Sequence, residues 1–176
     1  MVPRVVRDFG GIRIDTTEWP IILMVMPEHR ASDADVQSAV VHIEQIMLEC
    51  KKDREKCVQV TDASAMTTLP TASQRKITGE WMKKTTELQR EVSLGGANVT
   101  PSAIIRGIIT AIHWFHKPET PVVFVATRDE GMLQAFRWFE QAKVSLPSHL
   151  REMRDKLTAK HSAPREKQTG GLGSRR

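Results

Sequence analysis

The sequence predicts an α/β protein in which strands and helices alternate around a sheet covered on both sides. Two observations carry the prediction. Short apolar runs bounded by turn residues, Ile21 to Met26 and Pro121 to Ala126, show no polar alternation and so read as strands without a solvent face. Between such runs, apolar residues recur at three- and four-residue spacing behind hydroxyl or acidic cap residues, the pattern of amphipathic helices. A chain of 176 residues, 40% of them apolar, is long enough for one domain with a sizeable core.

The elements follow in order. Gly11 to Asp15 forms a first strand after the Gly10-Gly11 turn, and Trp19-Pro20 leads into the run Ile21 to Met26, which Pro27 ends. Ser32 caps a helix whose stripe is Val36, Val40, Ile43, Met47 and Leu48 and which ends between Cys50 and Asp53. Cys57 to Thr61 is the next buried strand. Asp62 then opens a loop crowded with hydroxyls, reaching Ser73. Thr71 to Glu91 is the longest helix: Thr71-Ala72-Ser73-Gln74 fits a capping box, and Ile77, Trp81 and Leu88 give the apolar stripe. In Val92 to Val99 the pair Gly95-Gly96 weakens a strand and signals a bulge or a close backbone approach. Thr100-Pro101 starts a helix carrying Ile104, Ile105, Ile108, Ile109 and Ile112 and stopping at Lys117-Pro118. After the strand Pro121 to Ala126, Thr127-Arg128-Asp129-Glu130 caps a helix carrying Leu133, Phe136 and Phe139. The predicted order is β-β-α-β-α-β-α-β-α.

Charge divides the chain. From Pro147 onward eight Lys and Arg face three acids, which accounts for the whole net charge of +5, so residues 1–146 form a neutral body. Leu150, Met153 and Leu157 place residues 147–161 in a short amphipathic helix that docks on the body or on a partner. Residues 162–176, with one Leu among Gly, Ser, Pro and Lys/Arg, are expected to be disordered in isolation and to contact polyanions weakly and non-specifically. Cys50 and Cys57, with six residues between them, match neither a disulfide framework nor a paired zinc motif, which suits small buried thiols in a reducing compartment. No apolar run is long enough to cross a bilayer and Met-Val-Pro-Arg lacks a signal-like core, so a soluble, cytoplasmic protein is expected.

Chemistry concentrates at the end of the third strand, where open α/β sheets form binding sites. Asp62, Ser64, Thr67, Thr68, Thr71 and Ser73 are the candidates for partner binding or phosphorylation. Thr71 and Ser73 stand at a helix N-terminus, which favours an anion, although Thr71 also serves as a plain N-cap and Ser64, Thr67 and Thr68 as turn residues. Arg106, on an otherwise apolar helix face, is a candidate anion site or an arginine that pairs with a neighbouring carboxylate. His113 and His116 lack a third ligand by sequence. Asp62 and Asp129 both follow strands, where acids usually cap helices rather than pair for acid-base chemistry. No Walker-type loop, dinucleotide fingerprint or nucleophile elbow is present, so neither a catalytic residue, a metal nor a cofactor is expected.

The element order and four segments resemble the STAS family, in particular its SpoIIAA-like and SEC14-like relatives. The segments are Trp19-Pro20, Val60-Thr61-Asp62, Val99-Thr100-Pro101-Ser102-Ala103-Ile104-Ile105-Arg106-Gly107, and Ala126-Thr127-Arg128-Asp129-Glu130 leading to Phe136-Arg137-Trp138-Phe139, so the resemblance covers residues 10 to 142. It implies a mixed sheet of about five strands with helices mainly on one face, and a non-enzymatic regulatory module that binds another protein. In the anti-sigma-factor antagonists of that family, a phosphorylatable Asp-Ser-Ser or Asp-Ser-Thr motif lies where the third strand enters the second helix. Here Asp62-Ala63-Ser64 replaces that triplet.

Three functions of different class follow. The first is a STAS-like module that binds a partner protein through Asp62 to Ser73 under control of a Ser/Thr kinase. The second is a carrier of a small apolar ligand, as the SEC14-like resemblance implies, for which a large apolar pocket would discriminate. The third is a nucleic-acid-associated protein using the basic tail, against which stand the 5% aromatic content and the absence of Tyr.

Overall fold

The computed structural model describes residues 2–100, 102–107, 110 and 118–162. Six strands form one mixed sheet in sequential order: β1 (Val6–Phe9), β2 (Ile12–Asp15), β3 (Ile21–Val25), β4 (Cys57–Asp62), β5 (Ser93–Val99) and β6 (Val122–Val125). The first three are antiparallel neighbours, and β3 to β6 run parallel. Between Phe9 and Ile12, Gly10 and Gly11 take φ of 58° and 91°. Two positive φ values in a two-residue loop match the twist of a hairpin, and only glycine adopts them without cost.

The count is six strands where about five were expected. The addition is β1, whose Val-Arg-Asp-Phe sequence lies at the sheet edge with three of four residues exposed, so it has no apolar run to announce it. The runs at Ile21, Cys57 and Val122 are strands as predicted, but Val122–Val125 is not buried as expected: it lies at the sheet edge and all four residues are half-buried. Ile21 and Ile22 are both fully buried although their side chains leave opposite faces of β3. Both faces are therefore covered.

Five helices have described bounds: α1 (Asp33–Lys52), α2 (Ala72–Lys84), α3 (Thr86–Val92), α4 (Arg128–Gln141) and α5 (Ser148–Ser162), with further helical residues at 103–107. Crossovers that advance across a parallel sheet in one direction with one hand put their helices on one face. Accordingly α1, α2 and α3 lie together on a face whose core joins Ile12, Ile14, Ile22, Ile43, Met47, Cys50, Cys57 and Val92. The opposite face buries Ile21, Val58, Val60, Ala97 and Val99 against Phe136 and Phe139 of α4 and Leu150 of α5. Helices thus lie mainly, though not wholly, on one face. Leu150 is fully buried, so residues 147–161 dock on the body.

The helix expected over Thr71 to Glu91 is two helices. Neither Gly nor Pro breaks it; Thr85 does, by folding its hydroxyl back to donate to the Trp81 carbonyl at 2.8 Å. A hydroxyl that competes for a backbone acceptor in this way bends or ends a helix. In β5 the register against β4 shifts at Cys57/Val58, and Gly95 lies so close to the Trp138 indole that a Cβ would come within 2.8 Å of it. The paired glycines therefore mark both an irregularity and a close approach.

Candidate functional site

Asp62 ends β4 and is 4% exposed. Its Oδ1 accepts from the Ser64 N–H at 3.0 Å and from the Ser64 hydroxyl, closing a local turn. Its Oδ2 accepts from Arg128 Nε at 2.8 Å and Nη2 at 2.7 Å, tying the strand end to the first residue of α4. Burial alone would raise this carboxyl, but the Ser64 hydrogen bonds and the Arg128 guanidinium outweigh it and hold the group below its ordinary value. A carboxylate so fully engaged is a structural tie. Asp129 has a separate partner, Lys160 at 2.6 Å.

The hydroxyls of the loop divide. The Thr71 hydroxyl accepts from the Gln74 N–H at 3.1 Å while Gln74 Oε1 accepts from the Thr71 N–H at 3.0 Å, which makes the predicted capping box. Gln74 Nε2 also donates to the Ala31 carbonyl at 2.7 Å, fastening α2 to the segment before α1. Thr67 donates its hydroxyl to the Glu28 carbonyl at 2.9 Å. Thr68 is half-buried, whereas Ser64, Thr67 and Ser73 are exposed. Arg106 is exposed and turns its Nη2 back to the Thr100 carbonyl at 3.5 Å. His113 and His116 lie outside the described residues. Cys50 and Cys57 are buried and free, and a hydrogen bond between the two thiols together with burial pushes the Cys57 thiol well above its ordinary value.

A cavity lies under this loop. With a volume of about 250 Å³, it separates the sheet from α1 and α2. Its walls are Met24 and Met26 of β3, Val36, Val40, Ile43 and Met47 of α1, and Thr78, Trp81 and Met82 of α2. Gln59, Thr61, Gly96 and Asn98 form the floor, and Ala63, Met66, Pro70 and Arg75 the loop end. Five methionines line the cavity, side chains that adapt to guests of irregular shape. The Trp81 Nε1–H is buried and has no hydrogen-bond partner. A second cavity of about 70 Å³ shares Met26, Val36, Met66, Pro70 and Thr78 with the first and continues to His29, Arg30 and Thr68.

The chain is thus an α/β protein with a mixed six-stranded sheet and an apolar chamber on its more heavily covered face. Comparison with family models, curated proteins and solved structures finds no match. Among the described residues there is no helix long and apolar enough to cross a membrane and no cluster of three or more metal-ligating side chains. Sequence reasoning located the strand end and the cap but missed Trp81, Arg75 and Arg30. One signal was available: Gln59, Thr61 and Asn98 interrupt otherwise apolar strands at positions facing α1 and α2, and Gly96 leaves that face without a side chain.

Proposed function

We propose that the protein is a non-enzymatic binding module that holds a small apolar molecule between the sheet and helices α1 and α2, the second of the expected functions. The cavity carries this reading. Concave, mostly apolar sites with a few polar groups are where small ligands bind, and this one combines methionine and aliphatic walls with Gln59, Thr61 and Asn98 on its floor. Calorimetric titration of the full chain with decanol tests it. One-to-one binding that is lost in a Thr78→Trp variant with unchanged circular dichroism supports the reading; no binding to the wild type, or equal binding to the variant, overturns it.

A regulatory role in the manner of STAS modules is favoured by one further observation. The same loop that closes the cavity through Ala63, Met66 and Pro70 exposes Ser64, Thr67, Leu69 and Ser73 outward. A partner protein docking there would sense the guest, and a Ser/Thr kinase acting on Ser64, Thr67 or Ser73 would alter that surface without breaking the Thr71 cap. Buried thiols suit the reducing cytosol. The basic tail adds weak, salt-sensitive contact with polyanions. Affinity capture with the wild type and with Ser64→Glu and Ser73→Glu variants tests the surface; a partner bound equally by all three would sink it.

A further inference from the structure

Among the described residues, the side chains lining the two neighbouring cavities include two arginines and no carboxylate. Arg75 is the one charged side chain lining the larger cavity among the described residues, and His29 and Arg30 line the smaller; no carboxylate lines either. The two guanidiniums are both tethered to the loop end. Arg75 Nη1 donates to the Pro70 carbonyl at 2.7 Å and Arg30 Nη2 to the Leu69 carbonyl at 3.4 Å, so both are held on consecutive residues at the loop end. Among the described residues neither has a carboxylate within ion-pairing distance, whereas Arg90, Arg128 and Arg154 each do. Guanidiniums held on consecutive carbonyls without a carboxylate partner keep free donors that match a carboxylate fork.

We propose that this end of the chamber takes the anionic head group of a single-chain amphiphile, with Arg30 and Arg75 holding a carboxylate and the chain lying in the methionine-lined cavity. The inference rests on the apolar-ligand reading and adds the chemical class of the ligand.

Calorimetric titration of the full chain with decanoate, decanol and acetate at neutral pH separates the parts. Decanoate should bind about tenfold more tightly than decanol, a margin that two partly exposed charge-assisted contacts supply, and acetate should neither bind nor compete. An Arg30→Gln/Arg75→Gln variant, checked for fold by circular dichroism, should bind decanoate no more tightly than decanol. A Lys76→Gln variant, whose lysine faces Glu80, should keep the preference for decanoate. Decanol and decanoate binding equally to the wild type would overturn the head-group assignment while leaving the apolar-ligand reading standing. Binding of neither would overturn both. A decanoate preference that survives in the double variant would show that these arginines do not hold the head group.

Discussion

Replacing Asp62 by Asn keeps the shape of the side chain and removes the charge that joins β4 to α4. The carboxylate is 4% exposed and accepts from both Ser64 and Arg128, so the loss is that of a buried, hydrogen-bonded ion. Breaking such a pair costs about 3–5 kcal/mol when both partners are buried. Here the Arg128 side chain is 45% exposed and is screened by water, and Asn retains an acceptor for Ser64, so a loss of about 1–2 kcal/mol is expected. For a chain of this size that is a fall in Tm of roughly 2–8 °C. The pH dependence fixes the mechanism. Because the folded carboxyl titrates below its unfolded value of about 3.9, its stabilisation is complete well above that value and disappears as pH falls through the lower, folded value. Thermal unfolding of both proteins from pH 7 to pH 3 should therefore show a gap that narrows on acidification. A Tm within about 1 °C of wild type at pH 7, or a gap that is unchanged by acid, would refute the assignment of Asp62 as a structural tie.

Three further substitutions probe the fold and the chamber. Thr71→Ala should cost about 1 kcal/mol in urea unfolding because it opens the capping box of α2, whereas Ser73→Ala should be neutral within about 0.5 kcal/mol; equal effects would contradict the cap. Trp81→Phe removes a buried donor that has no partner, so the unliganded protein should be no less stable and up to about 1 kcal/mol more so, minus the packing of the lost ring atoms; a loss above about 2 kcal/mol would mean that the indole N–H is already satisfied. Leu150→Ala should cost about 2–4 kcal/mol, since α5 is pinned by this fully buried side chain; a change below about 1 kcal/mol would mean that residues 147–161 are a separate appendage.

Legibility in the sequence followed from whether a feature was local. Ile21 to Met26 and Cys57 to Thr61 are continuous along the chain and could be placed as strands because burial on both faces leaves its mark in consecutive residues. The caps at Ser32, Thr71 and Thr127 were equally visible, each being a contact over three residues, and all three form capping boxes. β1 was invisible because an edge strand needs no apolar run, and the break at Thr85 because a hydroxyl folding back on Trp81 has no special residue to announce it. At the site, Asp62 could be located but not its partner, since Arg128 stands 66 residues away. The chamber was beyond reach for the same reason: β3, β4, β5, α1 and α2 each contribute a few wall residues, and no one segment contains enough of them to signal a cavity.

Covalent mapping of a bound alkyl chain bears most directly on the claim that this protein holds an apolar guest beneath α1 and α2. The full chain is irradiated with an alkyl carboxylate carrying a diazirine on its chain, with and without excess decanoate, and the labelled peptides are identified by mass spectrometry. Saturable labelling should fall on the wall residues Val40, Met47 and Met82 and should be displaced by decanoate. Labelling confined to exposed apolar side chains such as Val6, Val41, Leu48 and Ile104, or labelling that excess decanoate fails to displace, would contradict the account.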